Sequence, residues 1–229
     1  MPQWSTIKTV LLDMDGTLLD LHFDNHFWLD YLPECYAKEK GMSKLEAKQY
    51  LERAYQQLQG KLEWYCLDYW NDRLGLDLVA LKREVAHLIQ MRPDAIPFLD
   101  ALKASGRRVI LLTNAHPGSL ALKVELTCLD QHIDTLLTSH QFGQPKEHQD
   151  MWTQVCEQYD INPADTLFVD DSLSVLKSAE RFGIQHLLAV ANPDSKKPSN
   201  SVDDFESTTD FRTLIDDIKR HSHSDESSH

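Results

Sequence analysis

An α/β fold is what this sequence predicts: a Rossmann-like, three-layer core built on a parallel sheet, with an inserted all-helical cap. Three observations predict it. Short apolar runs of strand length alternate with helical patterns over residues 93–194, and such alternation implies parallel strands covered on both faces. The first apolar run, at residues 7–13, ends on Asp-Met-Asp-Gly-Thr, a turn signal that delivers the last strand residue to a sheet edge. The next run ends at Thr113, 100 positions after Asp13. A β-α-β crossover needs only about 30 residues, and the surplus carries helical patterning without strand signals.

Taken in order, strands are expected at residues 7–13, 107–113, 135–138, 166–170 and 185–190, the third being the weakest pattern. Helices are expected at 94–105, 119–126, 147–159 and 173–182. Gly106 and Gly183 stand at helix stops, where a left-handed backbone is wanted. The core is thus assigned to residues 1–19 and 93–194, and the cap to residues 20–92, with helices at 25–40, 44–58, 62–74 and 79–91. The cap is entered and left beside the first strand, over the carboxyl edge where open parallel sheets form their sites. Residues 195–220 form a C-terminal segment that begins polar and could end in a helix at 211–220. Residues 221–229 read as a disordered polar tail, dispensable for folding and activity, and its histidines His221, His223 and His229 as a poor metal site.

Composition limits the function classes. A chain of 229 residues can bury a full core and still carry an inserted smaller unit. A net charge of −13 argues against a nucleic-acid surface, which needs stripes of Lys and Arg. It leaves room for a small anionic substrate, provided a metal ion and a few cations focus positive potential in a cleft. No apolar run approaches the length of a membrane span, and no secretory signal is evident. Cys35, Cys66, Cys128 and Cys156 are widely spaced and form no Cys-x-x-Cys pair, the pattern of reduced thiols in a cytoplasmic protein. Oligomeric state is not specified by any of these features.

The chemistry gathers at predicted strand ends. Asp13 and Asp15 are two apart and can lean to the same side, with Gly16 allowing a tight turn behind them. One carboxylate can act as a nucleophile and the other as general acid, then base. Asp170-Asp171-Ser172 follows Leu167-Phe168-Val169; helix capping explains one of these carboxylates but not two. Thr113 could donate a hydroxyl, with help from Asn114, and Lys146 could offset negative charge. His116, three residues beyond Thr113, is either a substrate contact or a loop residue before a helix.

Leu12-Asp13-Met14-Asp15-Gly16-Thr17-Leu18 resembles the first motif of the haloacid dehalogenase superfamily. Thr113-Asn114, Lys146 and Asp170-Asp171 are similar to its second, third and fourth motifs, in order. The resemblance runs to about residue 194. It implies a magnesium-dependent phosphatase with Asp13 as nucleophile and an aspartyl-phosphate intermediate. Asp15, which the family's dehalogenases do not need, favours phosphoryl transfer over dehalogenation. Mg²⁺ prefers an octahedral oxygen shell; Asp13, the Asp15 carbonyl and Asp171 would supply it, with Asp170 in or beside that shell. Two departures from the family pattern are Pro145-Lys146-Glu147, where a proline usually follows the lysine, and Asp170, which replaces a frequent glycine.

The cap segment is rich in aromatics: Phe23, Phe27, Trp28, Tyr31, Tyr36, Trp64, Tyr65, Tyr69 and Trp70. Most must form its own core. The run from Trp64 to Trp70 presents rings on several helix faces, so some must point outward, and a planar base is a natural partner. Phe23-Asp24-Asn25, the Trp64–Trp70 run, Leu112-Thr113-Asn114-Ala115-His116-Pro117 and Pro145-Lys146-Glu147 resemble bacterial GMP/IMP nucleotidases. That implies a purine 5′-nucleotide substrate, with Asn25, Trp64, Tyr65, Trp70, Asn114 and His116 as candidate contacts. The alternatives are a phosphatase for another small metabolite, of the phosphoglycolate or sugar-phosphate type, and a phosphomutase. An interaction domain without catalysis would have no use for a nucleophile.

Overall fold

A parallel sheet organises the chain. The computed structural model describes residues 2–222. Its strands are β1 Thr9–Leu12, β2 Arg108–Thr113, β3 Thr135–Thr138, β4 Thr166–Asp170, β5 His186–Val190 and β6 Ser207–Thr208, in the order β3-β2-β1-β4-β5-β6. Side chains alternate between the faces. Val10, Leu12, Val109, Leu111, Leu167 and Val169 join one apolar cluster, while Leu11, Ile110, Leu112 and Phe168 join another. Both faces are covered, which is why these strands read as unbroken apolar runs. β1 pairs with β2 on one side and β4 on the other, so successive connections leave it in opposite directions and a crevice opens beyond its carboxyl end.

Between β1 and β2 the chain forms α1 His22–His26, α2 Leu32–Lys40, α3 Lys44–Leu58, α4 Leu62–Tyr65, α5 Leu67–Leu74 and α6 Leu78–Glu84. After them come α7 Ala95–Ala104, α8 Pro117–Thr127, α9 Gln149–Gln158, α10 Leu173–Phe182 and α11 Ile215–Arg220. α7 and α11 cover one sheet face, where Phe98 stacks on Phe211 with centroids 4.5 Å apart. α9 and α10 cover the other. The helices α1–α6 hold a third cluster of their own, around Phe23, Phe27, Leu51, Leu67 and Trp70. Leu19 pairs with Met91 in an antiparallel bridge, and Asp20 N–H donates to the Gln90 carbonyl at 2.9 Å. The way in and the way out therefore lie side by side.

Three expectations for this segment need correction. The helix expected at 25–40 starts at His22 and contains a π turn, Phe27–Tyr31, with Leu32 N–H bonded to the Phe27 carbonyl. Pro33 has no N–H to continue the ordinary register there. The helix expected at 62–74 is broken at Cys66, whose backbone is extended (φ −85°, ψ 109°), into α4 and α5. The helix expected at 79–91 ends at Glu84, followed by a 3-10 turn at Ala86–Leu88.

The C-terminal segment adds β6, which sequence patterning did not reveal, and a 3-10 turn at Phe211–Leu214 leading into α11. Buried Arg107 anchors it. Its guanidinium donates to the carbonyls of Trp4 (2.5 Å), His221 (2.8 Å) and Ile7 (3.0 Å) and lies 5.3 Å from the Trp4 ring centre. His221 and Ser222 are thus corrections to the expected tail. The His221 carbonyl is held by Arg107, and the Ser222 hydroxyl donates to the Lys219 carbonyl at 2.8 Å. The remainder of that expected tail, residues 223–229, lies outside the described residues.

Replacing Arg107 with Met keeps most of the buried volume but removes the donor that the Trp4 and His221 carbonyls share. Unsatisfied buried groups cost about 1–3 kcal/mol each, partly relieved by water. Arg107→Met should lower Tm by roughly 5–10 °C. Scanning calorimetry checks this, and an unchanged Tm would show that the Trp4 and His221 carbonyls find other partners.

Candidate active site

Asp13 is the first residue beyond β1, and its N–H bonds to the Val169 carbonyl of β4 at 3.0 Å. The chain then turns back, with Leu18 and Leu19 N–H groups both 2.9 Å from the Met14 carbonyl. Gly16 is required twice over. Its φ is +86°, and a β-carbon there would lie 2.6 Å from Asp171 Oδ2. The turn after β1 and the acidic pair after β4 therefore interlock.

Lys146 joins the strand ends. Its Nζ donates to Asp13 Oδ1 at 2.5 Å and to Asp170 Oδ2 at 2.7 Å. Its backbone is clamped as well: its N–H donates to Asn114 Oδ1 (2.9 Å), and its carbonyl accepts from Trp152 Nε1 (2.8 Å). Asn114 Nδ2 donates to Glu147 Oε2 (3.1 Å), and Glu147 Oε1 accepts from Tyr65 OH (2.7 Å). A hydrogen-bonded chain thus runs from β2 to α4. Thr113 Oγ1 accepts from Ala115 N–H at 3.0 Å, which leaves its own proton to be donated. Asp170 Oδ1 accepts from Ser172 N–H at 2.8 Å.

Carboxylate oxygens of Asp13, Asp170 and Asp171 lie within 4.8 Å of one another. Burial raises Asp13 to about 6 against the pull of Lys146. Burial, reinforced by Asp170 and Asp13, raises Asp171 well above the usual carboxylate range. Burial alone would strip the Lys146 proton, but Asp13 and Asp170 outweigh it and hold the ammonium charged. Three crowded carboxylates faced by one lysine leave surplus negative charge, and all the donors are oxygen. That set fits a small, hard divalent cation such as Mg²⁺.

A second buried charge chain was not read from the sequence. Asp15 Oδ1 accepts from Lys123 Nζ at 2.6 Å, Lys123 also donates to Asp24 Oδ2 at 2.6 Å, and Asp24 Oδ1 accepts from Lys82 Nζ at 2.9 Å. Both lysines are buried. Burial and then Asp24 raise Asp15 to about 7, opposed by Lys123. Burial would raise Asp24 too, yet Lys123 and Lys82 overcome it and hold that carboxyl well below its ordinary range. Lys82 also sits 4.9, 4.6 and 5.4 Å from the ring centres of Phe23, Phe27 and Trp28, a cation–π setting that partly replaces lost water. The available signal was Lys123 itself, a lone cation inside Leu120-Ala121-Leu122-Lys123-Val124. Lys82 carried none.

Above these groups lies a cavity of about 320 Å³. Asp13, Asp15, Thr113, Lys146, Asp170 and Asp171 border it on the sheet side, together with Asn114 and His116. Asn25, Trp64 and Tyr65 border it from the helical side, and so do Trp28 and Tyr55, which sequence reasoning had not singled out for it. Asn25 Nδ2 is tied to Asp194 Oδ2 at 2.7 Å. His116 Nδ1 accepts from Gly118 N–H at 3.1 Å and so caps α8. Trp70 is a correction. It is wholly buried, its Nε1 donates to the Trp64 carbonyl at 3.0 Å, and it packs edge-on against Tyr55 and Tyr69. The break at Cys66 rotates α5 so that Trp70 faces inward while Trp64 and Tyr65 stay at the cavity.

Comparison with known proteins agrees with this layout. A family model of haloacid dehalogenase-like hydrolases matches residues 7–183. The GMP/IMP nucleotidase YrfG of Escherichia coli (strain K12) is 49% identical over 212 residues, covering 93% of this chain and 96% of that protein. A phosphoglycolate phosphatase of Nitrosospira multiformis is 28% identical, covering 80% of this chain and 83% of its own. Among solved structures, a HAD phosphatase from Thermococcus onnurineus superposes with a TM-score of 0.76 at 22% identity, over 93% of this chain and 98% of that one. With its strand-end carboxylates, its doubly wound parallel sheet and a family match over most of its length, the chain belongs to the haloacid dehalogenase-like hydrolases.

Proposed function

We propose that this hydrolase removes phosphate from purine nucleoside 5′-monophosphates, GMP and IMP, with Mg²⁺ as cofactor and Asp13 as nucleophile. The observation that carries the reading is Asp13 itself, placed at the floor of the cavity with one oxygen held by Lys146. The nucleotidase at 49% identity supports the substrate class.

Asp13 would attack phosphorus through its other carboxylate oxygen, so that the phosphorus–oxygen bond to the nucleoside breaks as the aspartyl-phosphate forms. Asp15, with a proton affinity raised to about 7, would give its proton to the departing 5′ oxygen. It would then accept one from the water that cleaves the aspartyl-phosphate. Lys146 and the Thr113 hydroxyl would offset charge on the phosphoryl oxygens. Asp13, Asp171 and the Asp15 carbonyl would hold Mg²⁺, with Asp170 beside them, and the ion would supply charge neutralisation between the carboxylates and the incoming phosphate. The helices α1–α6 would act as a cap that excludes water, with Trp64 and Tyr65 flanking the base.

Asp13→Asn should abolish phosphate release from GMP while leaving the circular dichroism spectrum unchanged, since the amide preserves volume but cannot act as nucleophile. Turnover by the folded variant would defeat the mechanism. A panel of GMP, IMP, AMP, phosphoglycolate and sugar phosphates tests the substrate class.

Trp64→Ala should raise KM for GMP by roughly tenfold, given about 1–3 kcal/mol for a stacked base. Hydrolysis of a small phosphoester should change far less. An unchanged ratio between the two substrates removes Trp64 from base recognition.

Asp13 and Asp171 must lose their protons to bind the ion. Burial raises both, Asp13 to about 6, so Asp13 is ionised above that value and protonated below it, and Asp171 adds to the proton competition in the same direction. The Mg²⁺ concentration for half-maximal activity should therefore rise as pH falls through about 6, by about tenfold per unit for each proton displaced. A flat dependence from pH 7 to pH 5 would contradict the assignment.

A further inference from the structure

Among the described residues a second group brings ligand atoms within 4.8 Å of one another: Cys66, His116 and His140. They come from three separate places. Cys66 is the extended residue between α4 and α5, His116 is the N-cap of α8, and His140 lies in the 3-10 turn that follows β3. The two rings meet edge to face with centroids 5.1 Å apart. His140 Nε2 is buried and has no hydrogen-bond partner. A buried polar nitrogen left unpaired is costly and calls for an explanation. Its ring is held by a bond to the Asn114 backbone, and burial lowers it to about 4, so the imidazole is neutral near pH 7. With Nε2 unpartnered, that bond falls to Nδ1. A neutral ring with Nδ1 tied to the main chain and an open Nε2 lone pair is the usual state of a metal-ligating histidine.

We propose that Cys66, His116 and His140 form a site for a divalent ion of borderline softness, of the Zn²⁺ or Co²⁺ kind, separate from the carboxylate site. One thiolate and two imidazoles suit such ions and not Mg²⁺. A fourth position falls to water or to Asp68, whose Oδ2 lies 3.3 Å from His116 Nε2. The proton balance is defined. Cys66 loses its thiol proton to solvent as the metal–sulfur bond forms. His116 Nδ1 accepts the Gly118 N–H, so the free neutral ring carries its proton on Nε2. Binding through Nε2 moves that proton to Nδ1 and gives up the Gly118 bond. One proton is released per ion. Because Cys66 belongs to the helical segment and both histidines to the sheet layers, the ion would pin the two together at the edge of the cavity.

The test is a Co²⁺ titration of the reduced full-length protein near pH 7, with excess Mg²⁺ present to fill the carboxylate site. One equivalent should develop a near-ultraviolet thiolate-to-cobalt band, which oxygen- or imidazole-only sites do not give. Cys66→Ser should remove that band and His140→Gln should weaken Co²⁺ binding at least tenfold, while Cys128→Ser retains both. In the unmutated protein Co²⁺ should slow alkylation of Cys66, followed by peptide mass spectrometry, at least tenfold, a readout that does not depend on how the variants fold. No thiolate band, a band undiminished in folded Cys66→Ser, or an unchanged alkylation rate would each overturn the proposal.

Discussion

The Lys146 ammonium, held between Asp13 and Asp170, is the contact on which the site's geometry depends. Neighbouring parallel strands bring their carboxyl ends together, and here those ends carry acids. Without a cation between them, burial and mutual repulsion would protonate these groups or drive them apart. The lysine can do this only because its main chain is clamped by Asn114 and Trp152. The bonds of Asn114 thus serve two ends: they place the ammonium, and through Glu147 and Tyr65 they connect it to the helices above. Gly16 completes the arrangement by letting Asp171 approach the turn after β1.

The chain Asp15–Lys123–Asp24–Lys82 answers a different need. Buried ion pairs contribute little net stability, because desolvation consumes most of the attraction. What they impose is pairing. Asp15 and Lys123 belong to the sheet layers, Asp24 and Lys82 to the helical segment, and a change at any one leaves a buried charge exposed to its neighbour's field. The orientation of Asp15 is therefore coupled to the seating of helices α1 and α6.

Much of this was legible in the sequence, for definite reasons. Strands buried on both faces are written as apolar runs, so β1, β2, β4 and β5 were visible, the first three with their chemical residues at the ends. β6 was not, because a two-residue strand at a sheet edge has no periodicity to read. Helix existence in the inserted segment was legible, but helix continuity was not. The extended backbone at Cys66 and the π turn before Pro33 interrupt segments that the spacing of apolar residues runs together. For the same reason Trp64 and Trp70 could not be told apart. Their roles depend on the rotation introduced at Cys66. Lys82 and Asp24 were missed because a charge stabilised only by tertiary partners looks, in sequence, like a solvated one.

The bridge between Leu19 and Met91, with Asp20 bonded to Gln90, 70 positions later, has a consequence for how such a protein can change. An excursion whose two ends are fastened to each other presents the sheet with a constant footprint, whatever lies between. Loop-closure entropy grows only logarithmically, each doubling of length adding about 0.6 kcal/mol. Register and strand order are then insulated from additions and losses within the excursion, so long as Asp24 and Lys82 stay in place to seat Asp15 through Lys123. The roof can so be lengthened or trimmed away from those anchors, and selectivity can drift while the sheet beneath it stays the same.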